Sequence, residues 1–209
     1  ITKEKVVLKA ASRTDAGVHA KGQVANFFTS SRIPAERFTA ALNSELPPDI
    51  VLKDSREVPP EFDSRRNAIS KTYCYTVLNR AFPSALSSRY AWFVPYELDI
   101  AAMEEAAGYF IGEHDFSSFK AADMDALTTI RRIFSFGVEG KGDSVEFTVR
   151  GNAFLRHMVR IMTGTLVSVG KGKLKPSDIK GIIKAAKRAR ATVTAPPEGL
   201  MLVAVEYRD

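Results

Sequence analysis

The order of strand-like and helix-like segments constrains the fold of this chain most. Between residues 70 and 207 that order is β-α-β-β-α-β, with one extra helical segment before the last strand. Between residues 5 and 58 it is β-β-α-β. The predicted strands are 5–11, 23–29, 50–58, 70–78, 130–139, 144–150 and 200–207, and the predicted helices are 34–46, 98–111, 153–169 and 176–189. The shorter pattern matches the longer one if its opening strand and helix are missing.

We therefore predict an α+β fold of two ferredoxin-like (RRM-like) halves with mixed or antiparallel sheets, residues 1–61 and 62–209. The N-terminal half is expected to be truncated at its start. Without the opening strand, its sheet would expose a central hydrogen-bonding edge, and such edges are normally paired or blocked. We expect the missing segment to be present in the full-length protein, or its place to be taken by a partner chain.

Composition excludes several classes of protein. The 209 residues contain no apolar run long enough to span a bilayer. The single cysteine, Cys74, cannot form an internal disulfide, and the histidines His19, His114 and His157 are widely spaced without cysteine neighbours. We therefore predict neither a metal site nor a disulfide framework. The absence of a recognisable signal peptide favours a cytoplasmic protein.

Basic residues are concentrated near the end of the chain, and the formal net charge is +6. The segment from Lys171 to Arg190 contains eight Lys or Arg and one acidic residue, Asp178. Such a segment is either a solvated helix surface or a surface that follows the phosphates of a nucleic acid. The segment alone supports both interpretations equally.

An acidic residue lies in a short loop between two apolar strands. This loop, within the run Ala11–Ala20, places Asp15 two residues after Arg13 and two before Gly17. Glycine allows a tight loop, and loops held by rigid strands often carry catalytic groups. The alternative is an ordinary turn in which Asp15 caps a backbone group.

Two later segments also contain candidate functional residues. In the first, Tyr73 and Tyr75 share one strand face, which is typical of core packing but also suits stacking on a base. The second contains Arg156 and Arg160 four residues apart on a predicted amphipathic helix. An arginine placed near Asp15 would keep that carboxylate ionised and oriented.

Together these segments resemble the tRNA pseudouridine synthase A family. The similar stretches are Ala11–Ala20, Glu61–Tyr75, Gly112–Lys120, Gly151–Thr165 and Thr194–Leu200, in the family's order. Ser64 departs mildly, because the family usually has alanine there. The resemblance implies that Asp15 is the catalytic residue, that Arg160 pairs with it and that Tyr73 lines the active site. It further implies that Arg65 is the motif arginine and that Leu200 packs beneath the target base. Arg13 is expected to replace the extruded base or to contact phosphate.

The resemblance also implies a reaction and partners. The expected activity is isomerisation of uridine to pseudouridine at positions 38 to 40 of the tRNA anticodon stem-loop, without a cofactor or metal. The expected enzyme is a homodimer that binds tRNA across a basic catalytic cleft formed by both subunits. One alternative is a related synthase with another RNA target. Another is a non-catalytic RNA-binding module that stacks bases on Tyr73, Tyr75 and Phe27.

Overall fold

The structure is a computed structural model that describes residues 1–123 and 127–208. Its fold is α+β, with a large mixed sheet and four α-helices among the described residues. The strands are β1 (Lys9–Ala10), β2 (His19–Ala20), β3 (Ala25–Asn26), β4 (Ser70–Leu78), β5 (Trp92–Phe93), β6 (Gly112–Asp115), β7 (Ile130–Lys141), β8 (Ser144–Gly151) and β9 (Leu200–Glu206). The helices are α1 (Phe38–Asn43), α2 (Ile100–Gly108), α3 (Met158–Gly170) and α4 (Asp178–Ala185).

The chain divides into two compact units. The smaller contains residues 1–12 and 24–67, and the larger contains residues 13–23 and 68–209. In this division the loop that carries Asp15 belongs to the larger unit, and the smaller unit extends to residue 67. The ferredoxin-like character of the halves and the boundary after residue 61 stay predictions.

The larger unit is built on one sheet with the strand order β2-β9-β4-β8-β7-β6. Neighbouring strands from β9 to β6 pair antiparallel, whereas β2 pairs parallel with β9. Strand β5 pairs parallel with the end of β4. Because β4 has neighbours on both sides along its length, it is the central strand, and its residues alternate between the core and the opposite face.

Helices α2 and α3 cover the core of this unit. Met103, Ala106 and Ala107 are the buried residues of α2, and α3 is buried around nearly all of its circumference. A helix that is apolar all round requires neighbours on every side. The sheet lies on one side of α3, and the chain that precedes β9 contacts another. No helix in the described part of the chain is long and apolar enough to cross a lipid bilayer.

The smaller unit relies on side-chain hydrogen bonds more than on sheet. Strands β1 and β3 pair antiparallel over two residues each. The Asn26 side chain donates to the Phe62 carbonyl at 3.1 Å and accepts from the Ser64 backbone N–H at 3.0 Å. The Ser64 hydroxyl donates to the Lys9 carbonyl at 2.9 Å. These bonds satisfy buried polar groups that a longer sheet would otherwise pair.

Several predicted elements of the smaller unit are wrong in extent. The strands predicted at 5–11 and 23–29 shorten to β1 and β3, and the helix predicted at 34–46 is α1 preceded by a 3-10 turn, Ala35–Arg37. No strand forms within 50–58. Apolar alternation indicates which face of a strand is buried, but a strand also needs a neighbour to accept its backbone hydrogen bonds.

The larger unit follows the sequence pattern closely. The predicted strand 70–78, the 130–150 hairpin and the final strand are present as β4, β7–β8 and β9. The helix predicted at 153–169 begins only at Met158, because His157 has a left-handed backbone. Strands β2 and β6 were not predicted, since their residues are mostly polar and too few to show a period.

Candidate active site

Asp15 lies in a tight turn that is attached to the edge of the large sheet. The Val18 backbone N–H donates to the Asp15 carbonyl at 3.0 Å. Gly17 has a φ of 84°, which suits the third position of a type II turn and is unfavourable for other residues. The chain then enters β2, in which His19 pairs with Met201 of β9. The carboxylate is therefore carried by a short loop whose exit is fixed to the sheet.

Arg160 binds the carboxylate of Asp15 from the first turns of α3. Its Nη1 lies 2.7 Å from Oδ2 of Asp15, and its Nε donates to the Ala195 carbonyl at 2.8 Å. The side chain of Arg160 is 13% exposed and that of Asp15 is 29% exposed. The ion pair predicted from the sequence motifs is present, across 145 positions of the chain.

The sequence analysis did not identify a second contact of the carboxylate. Nε2 of His157 lies 3.2 Å from the same oxygen, Oδ2 of Asp15. Burial lowers the pKa of His157 below its ordinary value, and the nearby arginines Arg160, Arg156 and Arg188 lower it further, against the opposing effect of Asp15. The imidazole is therefore neutral at pH 7. The sequence offered no spacing signal for it, because His157 precedes α3 with a left-handed backbone and lies outside the helical period.

The two tyrosines of β4 both face the core but differ in their contacts. Tyr75 is fully buried, and its hydroxyl donates to the Pro196 carbonyl at 2.7 Å. Burial also raises the pKa of the Tyr75 hydroxyl. Tyr73 is 6% exposed, and its ring meets the ring of Phe154 edge to face at 5.1 Å between centroids. The alternation along the strand predicted that both tyrosines share one face. In the structure the hydroxyl of Tyr75 is used in a hydrogen bond to the backbone.

A connecting segment, residues 192–199, holds Arg160 in place. The Ala195 backbone N–H donates to the Arg160 carbonyl at 3.1 Å, and the Ala195 carbonyl accepts from the Arg160 guanidinium. One turn further along α3, a Cβ on Gly164 would lie 2.1 Å from the Val193 carbonyl oxygen. The segment therefore packs directly on the backbone of α3 and hydrogen-bonds both the backbone carbonyl and the guanidinium of Arg160.

Comparison with known proteins assigns the family. A family model for tRNA pseudouridine synthase matches residues 1–65 and 106–208. The tRNA pseudouridine synthase A of Acetivibrio thermocellus is 49% identical over 207 residues, which are 99% of this chain and 85% of that protein. The chain belongs to the tRNA pseudouridine synthase family.

Two further relatives agree with this result. The tRNA pseudouridine synthase A of Caldicellulosiruptor bescii is 48% identical, and the tRNA pseudouridine synthase A 2 of Clostridium perfringens is 46% identical. Each match covers 99% of this chain and 85% of the relative. The predicted family and its enzyme class, an isomerase, are thereby confirmed.

The other residues that the family resemblance singled out lie in different settings. Leu200 begins β9 opposite Tyr75 and is buried. Arg13 is exposed two residues before Asp15. Arg65 is exposed in the smaller unit, in a turn where its backbone N–H donates to Oδ1 of Asp63 at 3.0 Å. Their roles toward a substrate stay predictions.

The basic residues from 171 to 190 lie in different settings. Lys171 and Lys180 lie over aromatic rings, the latter 4.4 Å from the centroid of Tyr109. The Arg188 guanidinium donates to the Ala191 and Thr192 carbonyls. The exposed basic residues are Lys173, Lys175, Lys180, Lys184, Lys187 and Arg190. A phosphate surface and a solvated face are both still consistent with this arrangement. Within residues 1–123 and 127–208, no three His, Cys, Asp or Glu side chains are grouped to hold a metal ion.

The tight packing at Gly164 leads to a stability prediction. We expect Gly164→Ala to lower the free energy of unfolding by at least about 2 kcal/mol, because the added methyl group meets a backbone carbonyl that cannot rotate away. The matched control is Gly181→Ala in α4, where a Cβ meets nothing within 4 Å. That change should raise the free energy by about 0.5–1 kcal/mol through helix propensity. Urea denaturation measures the free energy of unfolding of both variants. If the two substitutions change it equally, residues 192–199 move aside easily for the added methyl group.

Proposed function

We propose that this chain converts uridine to pseudouridine in the anticodon stem-loop of tRNA, at positions 38 to 40, with Asp15 as nucleophile or base. The relatives are named for tRNA pseudouridine synthesis, which supports uridine isomerisation in tRNA. The observation that carries the assignment of Asp15 is its ion pair with Arg160, at 2.7 Å in a partly exposed setting. The guanidinium holds one oxygen of the carboxylate, and the side chain of Asp15 is still 29% exposed to a ligand.

The reaction makes few chemical demands. The C1′–N1 bond of uridine breaks, the uracil turns, and a C1′–C5 bond forms. C5 then loses its proton and N1 gains one, so that the atoms balance without a redox partner. The enzyme must hold the base outside its stack and place a carboxylate beside the sugar and base. Asp15 supplies that carboxylate, and Arg160 supplies the cation that holds it.

Other residues are proposed to hold the substrate. Tyr73 lies against the flipped uracil and assists proton removal from C5, while Leu200 packs beneath the base. Arg13 occupies the space left by the flipped base or contacts phosphate, and Arg65 contributes a further cation. The burial of Leu200 beside Tyr75 suits an apolar floor, and the exposure of Arg13 suits contact with nucleic acid.

A non-catalytic RNA-binding module is less well supported. It would use Tyr73, Tyr75 and Phe27 as stacking platforms. The fully buried Tyr75, whose hydroxyl donates to a backbone carbonyl, cannot offer its ring face to a base without disrupting the core. Such a module would also have no use for the ion pair of Asp15 with Arg160.

The target positions are tested with tRNA variants. We expect tritium release from tRNA containing C5-tritiated uridine when positions 38, 39 and 40 include a uridine. A tRNA with cytidine at all three positions should release none. Release from that variant would favour the alternative of a synthase with another target, and absence of release from every RNA tested would contradict the enzyme assignment for this chain.

The two tyrosines offer a further prediction. We expect Tyr73→Phe to lower kcat at least about tenfold with little change in tRNA affinity, because the ring remains and the hydroxyl is lost. Tyr75→Phe should instead lower the free energy of unfolding by about 1 kcal/mol, because the Pro196 carbonyl loses its donor. Single-turnover kinetics and urea denaturation on both variants separate the roles. A normal rate for Tyr73→Phe with an inactive, stable Tyr75→Phe would reverse the assignment.

We further propose that the enzyme is a homodimer, which rests on the family resemblance alone, and that it acts in the cytoplasm, as expected from the sequence. Sedimentation velocity at several protein concentrations tests the assembly. A monomer that is fully active would contradict the proposed shared cleft.

A further inference from the structure

We propose that Pro197 is a positioning residue, which holds the turn that carries Asp15 at the distance from Arg160 that their ion pair requires. The inference rests on the proposed function of Asp15. It goes beyond that function because it assigns the alignment of the two charged groups to a proline that lies outside the ion pair.

The Asp15 turn packs against Pro197. A Cβ added to Gly17 would lie 3.1 Å from Cγ and 3.4 Å from Cβ of Pro197, so the proline ring lies directly against Gly17. Carbon atoms in ordinary contact are about 3.5–4.0 Å apart, and a side chain at this position would therefore require the ring to shift. Gly17 follows Asp15 by two residues, within the turn that the Val18 backbone N–H closes. The ring therefore blocks movement of the turn toward residue 197.

Pro197 is itself held in place by its neighbours. It opens the 3-10 turn Pro197–Gly199, and the carbonyl of the preceding Pro196 accepts from the Tyr75 hydroxyl at 2.7 Å. At the end of the same turn, a Cβ on Gly199 would lie 2.6 Å from the ring of Tyr75. Two consecutive proline rings also restrict two φ angles of this stretch. The Asp15 turn therefore rests on a fixed surface.

The stretch that presents Pro197 also holds Arg160. The Ala195 carbonyl, two residues before Pro197, accepts from Nε of Arg160 at 2.8 Å. Nη1 of the same guanidinium lies 2.7 Å from Oδ2 of Asp15. Residues 195–197 therefore contact Arg160 at one end and the Asp15 turn at the other. The separation of the two charged groups depends on both contacts.

The Asp15 turn has a second attachment where it enters β2, in which His19 pairs with Met201 of β9. A turn with one attachment can pivot, whereas two attachments fix its direction. We therefore expect loss of the Pro197 contact to let the carboxylate of Asp15 move while β2 stays paired. Displacement of a reacting group by about 1 Å can lower a rate by about 100-fold.

Two substitutions of Pro197 form a matched test. Pro197→Ala and Pro197→Val both lose the ring that restrains φ, so both carry a similar cost in backbone entropy. Valine keeps carbon atoms at the γ position that faces Gly17, whereas alanine does not. We expect Pro197→Ala to lower the single-turnover rate by about 10- to 100-fold with tRNA affinity unchanged, and Pro197→Val to stay within about fivefold of the wild-type rate.

Gly17→Ala tests the same contact from the opposite side. Its methyl group meets the Pro197 ring, and Gly142→Ala is the control, because Gly142 also has a positive φ, 58°, but a Cβ there meets nothing within 4 Å. Both substitutions strain the backbone. Gly17→Ala should lower the single-turnover rate at least about tenfold, and Gly142→Ala should not. Should Pro197→Ala fail to fold in circular dichroism, this pair decides, and equal rates for the two glycine variants would overturn the proposal.

The outcomes separate this inference from the proposed function. Asp15→Asn is assayed beside these variants, and its activity would contradict the proposed function and the inference with it. If Asp15→Asn is inactive while Pro197→Ala is as fast as the wild type, the positioning role is wrong and the function stands. Equal losses in Pro197→Ala and Pro197→Val would mean that the restraint on φ matters and the contact with Gly17 does not, which also overturns the proposal.

Discussion

Asp15→Asn is expected to abolish pseudouridine formation while tRNA binding stays within about threefold of the wild type. Asparagine has nearly the same shape, and its side-chain oxygen can still accept from Arg160. It is neither a nucleophile nor a base, so the loss in rate should reach at least about 10⁴-fold, as for other reacting groups. One carboxylate contributes little to the affinity for a polyanion. Tritium release and filter binding on the same preparation measure the two properties.

A second aspartate of the same unit supplies the matched control. Asp143 forms an ion pair with Arg80 at 3.3 Å, in the turn between β7 and β8, and its side chain is 64% exposed. Asp143→Asn removes the same charge from an Asp–Arg pair and should leave the rate unchanged, because exposed pairs contribute little. Appreciable turnover by Asp15→Asn, or an equal loss in Asp143→Asn, would contradict the role of Asp15.

Arg160→Met is expected to cause the second largest loss, about 10³-fold in the single-turnover rate, because Asp15 loses its cation and the guanidinium that hydrogen-bonds Oδ2. The Ala195 carbonyl also loses its donor, so the free energy of unfolding should fall by about 1–3 kcal/mol. Arg160→Lys keeps the charge but replaces the planar guanidinium with a single ammonium group. Its single-turnover rate should therefore lie between those of Arg160→Met and the wild type. Single-turnover assays and urea denaturation distinguish loss of chemistry from loss of fold.

Arg156 is the appropriate comparison for Arg160. It lies four residues earlier, and its side chain is 44% exposed and pairs with Asp123. Arg156→Met removes the same charge from the same end of α3 and should change the rate less than about threefold, because exposed ion pairs contribute little. Similar losses in both methionine variants would mean that general positive charge, and not the contact with Asp15, supports the reaction.

The sequence analysis predicted the ion pair of Asp15 with Arg160 but missed the strand β2 that follows the Asp15 turn. Asp15 and Arg160 were singled out by their resemblance to the family's motifs, because charge alone left both Arg156 and Arg160 as possible partners of Asp15. His157, whose Nε2 lies 3.2 Å from Oδ2 of Asp15, was missed because its left-handed backbone places it outside any periodic pattern. No residue type in its neighbourhood requires that conformation.

Strand pairing could also be predicted only in part. The β7–β8 hairpin was predictable, since both strands and the Gly142 turn are close in sequence. The parallel pairing of β2 with β9 was not predicted, because it joins two-residue stretches far apart in the chain. Strand 50–58 was predicted wrongly, because no partner strand pairs with it in the described part of the chain.

The attachment of the Asp15 turn to β9 has a consequence for how the enzyme matures. A ribosome makes residue 15 before β9, and β2 can pair with β9 only after Met201 and Leu202 have been added, 186 or more positions after residue 15. At the usual speed of synthesis that interval is roughly 10–40 s. Ala195, which orients Arg160, is also made late. A nascent chain that stalls before residue 195 therefore carries an unassembled site, and incomplete products would lack activity even where their N-terminal segments are intact.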